Sequence, residues 1–337
     1  MTVILGLETS CDETACAIVK DGRQVLASKL HSQTEIHKQY GGVVPEIAAR
    51  YHLESVNTVI EEAVESSGLS LQEIDAVACT QGPGLIGTLL VGLSAAKALS
   101  WVLRKPLLAV DHLYAHICAN YIDSDLEPPF ISLLVSGGHT QLVFVRDYDN
   151  WEVLGQTLDD AAGEAYDKVA RLLELGYPGG PQIDRAAQNG NAAAFKFPEG
   201  AVKNFDFSFS GLKTAVLRTV EKLDEPLPVA DLAASFQDAV NRVLFKKTIR
   251  AATELNIAKI VLAGGVAANK DLRKRFEAVR AVESSRGEHE ETQIGARFSV
   301  YMPDLKYCTD NAAMVAAAAY FAGIEQTLSC TAYSRQP

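Results

Sequence analysis

Apolar and polar positions alternate in blocks along this chain, and the blocks outline its elements. Residues 3–8 (VILGLE) read as a strand. The small, acidic turn Thr9-Ser10-Cys11-Asp12-Glu13 follows, then a strand over 14–19, a turn at Asp21-Gly22 and a strand over 24–30. Pro45 stands where a helix favours proline, and Leu53, Val56, Ile60 and Ala63 then recur at three- and four-residue steps until Gly68. Ser70 and Glu73 form a capping box for a short helix. A strand over 75–80 leads to Gly82, Gly84 and Gly87, which open a small-residue helix through Ala98. A strand over 107–110 and a helix over 111–121 close the first half.

After a linker over 123–129 the pattern starts again. Residues 131–145 (ISLLVSGGHTQLVFV) read as two apolar strands around Ser136-Gly137-Gly138-His139, with a third strand over 151–158. A strand over 259–263 then meets Gly264-Gly265 and a helix opening at Asn269, as the earlier strand met Gly82. Each half is a β-meander with a polar turn, then helices, then a strand, a Gly-bearing loop and a helix. The expected fold is therefore a duplicated α/β unit, with lobes over 1–122 and 123–337 whose Gly-bearing turns face a shared cleft. The second half carries a helical insertion over about 156–228 and a long helix over 229–255, and it ends in a small-residue helix over 311–322. Residues 281–299 are polar and aperiodic, with Glu288-His289-Glu290-Glu291, and read as a mobile surface loop.

Composition narrows the class. The chain has 337 residues, enough for two cores, with 48% hydrophobic and 22% charged residues, as in ordinary globular proteins. The start has neither a basic segment nor a long apolar one, so no secretory signal is expected. No apolar run reaches the length of a membrane span. Cys11, Cys16, Cys79, Cys118, Cys308 and Cys330 contain no C-x-x-C pair, and most lie in apolar stretches, which fits a reducing cytoplasm. The net charge of −11 argues against unaided tight binding of a long nucleic acid.

Several residues carry candidate chemistry, each with a plainer alternative. Gly137 and Gly138 can turn the chain tightly and offer amides to a phosphate, or can simply make a hairpin. His112 and His116, at i and i+4, share a helix face and form a two-His metal platform, or are two polar residues on a half-exposed helix. Leu113-Tyr114-Ala115 lacks the Glu of a zinc-protease helix, so peptide hydrolysis does not follow. Asp310 is a candidate third ligand, but it also stands where the last helix needs an N-cap. Asn269 beside Gly264-Gly265 suits a ribose or base, or a tight connection. Asp167 and Asp184 suit ribose hydroxyls or a solvated helix face. Asp12 and Glu13 suit a cation or a nucleophile, or turn chemistry. Arg242, Lys246, Lys247 and Arg250, or Lys270, Arg273, Lys274 and Arg275, offer a local basic face for RNA, or ordinary solvated helix surface.

Read together, nine segments resemble one family in collinear order. They are GLETSCDET (6–14), HKQYGGVVPEIAARYH (37–52), QGPGLIGTLLVG (81–92), HLYAH (112–116), LLVSGGHTQL (133–142), DDAAGEAYDKVARLLELGYPGGP (159–181), FDFSFSGLKT (205–214), AGGVAAN (263–269) and CTDNAAM (308–314). The chain is similar to the bacterial tRNA adenosine threonylcarbamoyltransferases, TsaD. The resemblance implies the fold shared by actin, the heat-shock chaperone ATPases and the sugar kinases. It implies transfer of a threonylcarbamoyl group from threonylcarbamoyl-adenylate to the exocyclic amine of the adenosine beside the anticodon, in tRNAs reading codons that begin with A. His112, His116 and Asp310 fall on the family's metal ligands, usually iron, with zinc also seen. Leu134, Val135, Ser136, Gly137, Gly138, Asp167, Gly180, Asp184 and Asn269 fall on its substrate-binding positions. The implied partners are tRNA and the TsaB and TsaE proteins, with the donor made by a TsaC-type enzyme. The segment 280–300 looks longer than in the family. In the implied reaction the phosphate rests on the 136–138 amides, a metal polarises an oxygen, and Asp12 or Glu13 accepts the amine proton. A small-molecule kinase of the same fold, a metalloprotease and a non-catalytic actin-like scaffold are the competing classes.

Overall fold

A computed structural model describes residues 1–200, 202–281 and 298–335. It divides into a unit comprising Met1–Glu127 with Pro303–Pro337, and a unit comprising Pro128–Met302.

In the first unit, β1 (Val3–Glu8), β2 (Glu13–Lys20) and β3 (Gln24–Ser32) form an antiparallel meander. The short helix α1 (Thr34–Lys38) follows, and α2 (Pro45–Ser67) ends at Gly68, whose φ of 71° is left-handed. β4 (Ala76–Gly82) runs parallel to β1. Next come α3 (Ile86–Leu103), then β5 (Leu107–Asp111), parallel to β4, and α4 (His112–Cys118). Strand alternation assigns the faces. Leu5 and Leu7 of β1 join Val56, Val59, Ile60 and Ala63 of α2 and Leu93 and Ala96 of α3 in one core. The intervening Gly6 faces α10 (Ala312–Ala322), and a Cβ on Gly6 would lie 2.6 Å from the Ala312 carbonyl oxygen. Glu8, in phase with Gly6, points to that same side.

In the second unit, β6 (Phe130–Val135), β7 (Thr140–Asp147) and β8 (Asn150–Gln156) repeat the antiparallel meander. β9 (Lys259–Ala263) runs parallel to β6, and β10 (Ser299–Tyr301) parallel to β9. Its strand order, β10-β9-β6-β7-β8, reproduces the β5-β4-β1-β2-β3 order of the first sheet, so the duplication is real at the level of topology. The helices are α5 (Ala162–Leu172), α6 (Gly179–Ala187), α7 (Ser210–Val220), α8 (Val229–Glu254) and α9 (Lys270–Ala281). Ile131, Leu133, Val135, Ile260 and Leu262 bury against them. Within the insertion, Asp159 takes the place of a side-chain cap for α7, accepting from the Phe209 and Ser210 amides and both serine hydroxyls, Ser208 and Ser210.

Three expectations change, and a fourth has no test. The C-terminal helix, placed by chain order in the second lobe, belongs to the first unit. Its alanines admit close contact with β1 and β2, and β11 (Ile324–Gln326) then adds an antiparallel strand beside β5. The helix after Gly82 runs on to Leu103, and by length and composition it alone among the described residues could cross a membrane. It packs on α2 and β4 within the first unit. The cap of the last helix is not Asp310. Asn311 takes that role, accepting from the Met314 amide at 2.9 Å. The segment 281–299, expected to be a mobile loop, lies almost wholly outside the described residues. All six cysteines are free.

Candidate metal centre and substrate residues

Asp111 ends β5 and caps α4, its Oδ1 accepting from the Leu113 and Tyr114 amides at 2.9 Å each. That fixes where α4 starts, and hence where His112 and His116 point. Both rings are buried, at 8% and 1% exposure, and their Nε2 atoms lie 3.7 and 3.1 Å from Asp310 Oδ1. One ligand atom from each of the three residues falls within a 4.8 Å span. With Asn311 supplying the cap, Asp310 is left to face the histidines.

A fully buried Glu8 stands behind His112. Its Oε2 lies 3.2 Å from His112 Nδ1 and accepts from the Thr80 hydroxyl, while Oε1 accepts from the Ser10 amide. Burial favours the uncharged imidazole of His112, but the Glu8 and Asp310 carboxylates outweigh it and raise His112 to about 9 in the metal-free protein. Burial likewise works to raise Glu8, and His112 beside it holds the carboxyl below its ordinary value. Glu13, partly buried at the start of β2, is pushed up to about 10 by desolvation and by the charges of Asp310 and Asp12. The turn itself is held by His52, whose Nδ1 pairs with the Thr14 hydroxyl at 2.7 Å and whose Nε2 reaches the Cys11 carbonyl at 3.0 Å.

The second unit links its expected substrate residues in a chain of contacts. The Ser136–His139 turn joins β6 to β7, with the Ser136 amide donating to the His139 carbonyl at 2.8 Å. Neither Gly137 nor Gly138 adopts a positive φ, so a strained turn does not explain them. Instead, a Cβ on either would meet nothing within 4 Å, which leaves their backbone open to a ligand. A Cβ on Gly163 of α5 would come 2.5 Å from the Ser136 carbonyl, and one on Gly264 (φ 85°) 2.5 Å from the Val135 carbonyl. Asp167, one turn along α5, accepts from the Gly179 amide at 2.7 Å, where α6 begins. Gly179 is the sterically constrained glycine, with an added Cβ 2.6 Å from Asp167 Cα, whereas Gly180 is open. Asp184 of α6 accepts from the Lys270 amide at the start of α9, and burial raises both carboxyls, Asp184 and Asp167. The Asn269 side chain is already committed: Oδ1 accepts from the Leu272 amide and Asn241, and Nδ2 donates to Gln237. The Leu134 and Val135 side chains are buried, and both residues pair with β7 in the sheet.

A family profile described as "TsaD: tRNA N6-adenosine threonylcarbamoyltransferase" matches residues 24–317. The chain belongs to that family. A tRNA N6-adenosine threonylcarbamoyltransferase from Cyanothece sp. is 54% identical over 329 residues, spanning 95% of this chain and 91% of its own. One from Caldicellulosiruptor saccharolyticus is 52% identical over 324 residues, spanning 95% and 92%. Among solved structures, full-length HypF in its phosphate- and nucleotide-bound form aligns with a TM-score of 0.62 at 14% identity, over 95% of this chain and 46% of that one. Component A of the (R)-2-hydroxyglutaryl-CoA dehydratase of Acidaminococcus fermentans aligns with a TM-score of 0.52 at 16% identity, over 95% and 98%. At such identities these two show a likeness of fold alone.

The side chains of this TsaD-family protein fit a divalent metal. Neither ring nitrogen of His116 makes a hydrogen bond although the ring is almost fully buried and Nε2 stands 3.1 Å from Asp310 Oδ1, an arrangement that costs free energy unless a further ligand engages it. His112 is oriented by Glu8 through Nδ1, which leaves Nε2 toward Asp310, the usual support for a metal-bound imidazole. Sequence reasoning named the three residues that the structure brings together but missed Glu8, Ser10 and Thr80. The signal was a buried acid in phase with Gly6 on an otherwise apolar strand. Of the two basic faces that the sequence offered for RNA, the one on α8 makes ion pairs and hydrogen bonds within the fold. Arg242 pairs with Glu199 and Asp238, Lys246 with Glu199, Arg250 with Glu254, and Lys247 bonds the Asp206 carbonyl.

Proposed function

We propose that this protein transfers a threonylcarbamoyl group from threonylcarbamoyl-adenylate to the N6 amine of the adenosine next to the anticodon, in tRNAs reading codons that begin with A, releasing AMP. Family membership across nearly the whole chain carries the reading, and the buried His112–His116–Asp310 cluster supports a metal-dependent transferase. The three side chains would hold one divalent ion, with iron first and zinc as the alternative, since two imidazoles and a carboxylate suit both. When bound, the ion supplies Lewis-acid polarisation of a donor oxygen.

The chain's own residues do the rest. Glu8 keeps the His112 Nδ1 proton and thereby the ring orientation. The open amides of 136–138, beside the N-terminal turn of α5, would take the donor phosphate. Asp167, Gly180, Asp184 and the Asn269 region would seat the nucleoside, with Asp167 and Asp184 as hydroxyl acceptors. The amine is a weak nucleophile because its lone pair is delocalised into the purine, so positioning dominates. Asp12 or Glu13, where the first turn meets β2, would accept the amine proton. Partners of the TsaB and TsaE kind and a donor-making TsaC-type enzyme complete the system, and a protein that modifies tRNA works in the cytoplasm. The test is mass spectrometry of nucleosides from tRNA incubated with the protein, these partners, threonine, bicarbonate and ATP, with and without chelator. Threonylcarbamoyladenosine that forms only with this chain and metal supports the reading. Accumulation of the adenylate donor with no modified nucleoside sinks it.

A further inference from the structure

The last described residues do more than end the chain. After β11 the segment turns back along β4. The Gln81 side chain donates to the Thr331 carbonyl at 2.7 Å, the Tyr333 amide donates to the Gln81 carbonyl at 3.1 Å, and the Lys97 ammonium reaches the Cys330 carbonyl at 2.5 Å. Cys330 and Ala332 pack against the core formed by β1, β4, α2 and α3. The Gly-bearing loop after β4 is shaped to admit this strap. A Cβ on Gly82 would lie 2.2 Å from the Tyr333 carbonyl and 2.6 Å from its ring. On the loop's other flank a Cβ on Gly84 would lie 2.7 Å from the carbonyl of Ser10, whose hydroxyl pairs with His112 Nδ1 at 3.2 Å. The strap ends on the metal helix. The Tyr333 hydroxyl donates to Asp111 Oδ2 at 3.0 Å, while Oδ1 of the same carboxylate caps α4 one residue before His112.

We propose that residues 327–335 brace the metal helix, and that Tyr333 is a positioning residue acting on His112 through Asp111. A carboxylate that accepts on one oxygen can swing about its Cα–Cβ and Cβ–Cγ bonds. A donor fixed on the second oxygen removes that freedom and pins the cap. Because α4 has only seven residues, little intrinsic helicity holds His112 and His116 in register, so the cap and the packing around it set their geometry. Gly82 and Gly84 therefore serve the approach of two protein segments, with no ligand phosphate required to explain them. The proposal rests on the metal reading for its consequence, but the bracing itself does not.

Two readouts separate the two. In the metal-free full chain, hydrogen exchange at the Leu113 and Tyr114 amides is compared between wild type and Tyr333→Phe, which keeps the ring against Gly82 and removes only the hydroxyl. Exchange there is expected to quicken several-fold, with β7 amides unchanged. Chelator competition then measures ferrous-ion and zinc retention, expected to weaken about 3- to 10-fold, the worth of one hydrogen bond. Gly82→Ala, which displaces the strap from its other side, is expected to reproduce both effects. Unchanged α4 exchange in both variants overturns the brace, and so does an equal loss of protection across the whole first unit. Quickened exchange with unaltered metal retention overturns the positioning role. Failure of the wild type to modify tRNA would overturn the transferase reading and leave the exchange result standing.

Discussion

Asp310 and Asn311 are adjacent, polar and at one helix start, yet the structure gives them different work, and this can be measured. Asn311 is 3% exposed. Its Oδ1 accepts from the Met314 amide at 2.9 Å, and its Nδ2 donates to the Thr309 and Tyr307 carbonyls at 2.8 and 3.3 Å. Asn311→Ala removes an N-cap, about 1 kcal/mol, and leaves the buried Tyr307 carbonyl and the more open Thr309 carbonyl short of a donor, up to about 1 kcal/mol each. The expected loss is roughly 2–4 kcal/mol. Asp310→Asn keeps the shape and leaves the cap in place. It forfeits attraction to His112 but relieves repulsion with Glu13 and Glu8, so the metal-free protein should lose less than about 1.5 kcal/mol. Metal affinity reverses the order. Outer partners of a bound metal are each worth about 10- to 100-fold in affinity, so losing the carboxylate ligand itself should cost at least that much. Asn311→Ala should weaken retention only modestly. Urea denaturation of chelator-treated protein gives the first quantity and chelator competition the second. If Asp310→Asn destabilises the metal-free protein as much as Asn311→Ala does, and still retains metal, then Asp310 is a structural residue and the centre is misread.

Three further outcomes are expected. Combining His112→Ala with His116→Ala abolishes transfer and metal retention while far-ultraviolet dichroism stays that of the wild type; full turnover in the metal-stripped double variant would remove the metal from the mechanism. Gly137→Ala meets no protein atom, so it should fold normally and raise the apparent KM for the donor. Gly264→Ala, at φ 85° and 2.5 Å from the Val135 carbonyl, should instead destabilise the second unit by about 1–3 kcal/mol in denaturant titrations. Burial lowers the pKa of His52, so the folded chain resists protonating it. Stability from this group is complete above its unfolded value near 6.5 and declines below that pH, by up to about 1.4 kcal/mol per pH unit. Replacing His52 with Gln should flatten that part of the pH–stability curve, and an unchanged slope would discount His52 as its source.

Much of this protein is legible along the chain because its local rules agree with one another. β1 and β9 fall on the runs 3–8 and 259–263 because an apolar run bounded by small polar turns has few other ways to hydrogen-bond. α2 starts at Pro45 and stops at Gly68 because each residue fixes the backbone locally. The duplication follows from the order of such elements, and the i, i+4 histidines follow from helical period. Contacts distant in sequence obey no such rule. Nothing in the chain order says that α10 packs on β1 in the first unit; that depends on Gly6 meeting the Ala312 backbone. The choice between Asp310 and Asn311 as the cap turns on which side chain reaches the Met314 amide, a matter of one residue's rotation about the helix axis. The role of Glu8 behind His112, 104 residues away, and the reach of Tyr333 to Asp111 across 222, exist only once β1, β5 and the C-terminal strap lie side by side. The sequence determined the elements, their repeat and the ligand types, because those are set by neighbours along the chain. The tertiary structure decided which side chain caps the last helix, which one faces the two histidines and what stands behind them, because those depend on ångström-scale distances between segments that the chain order leaves unspecified.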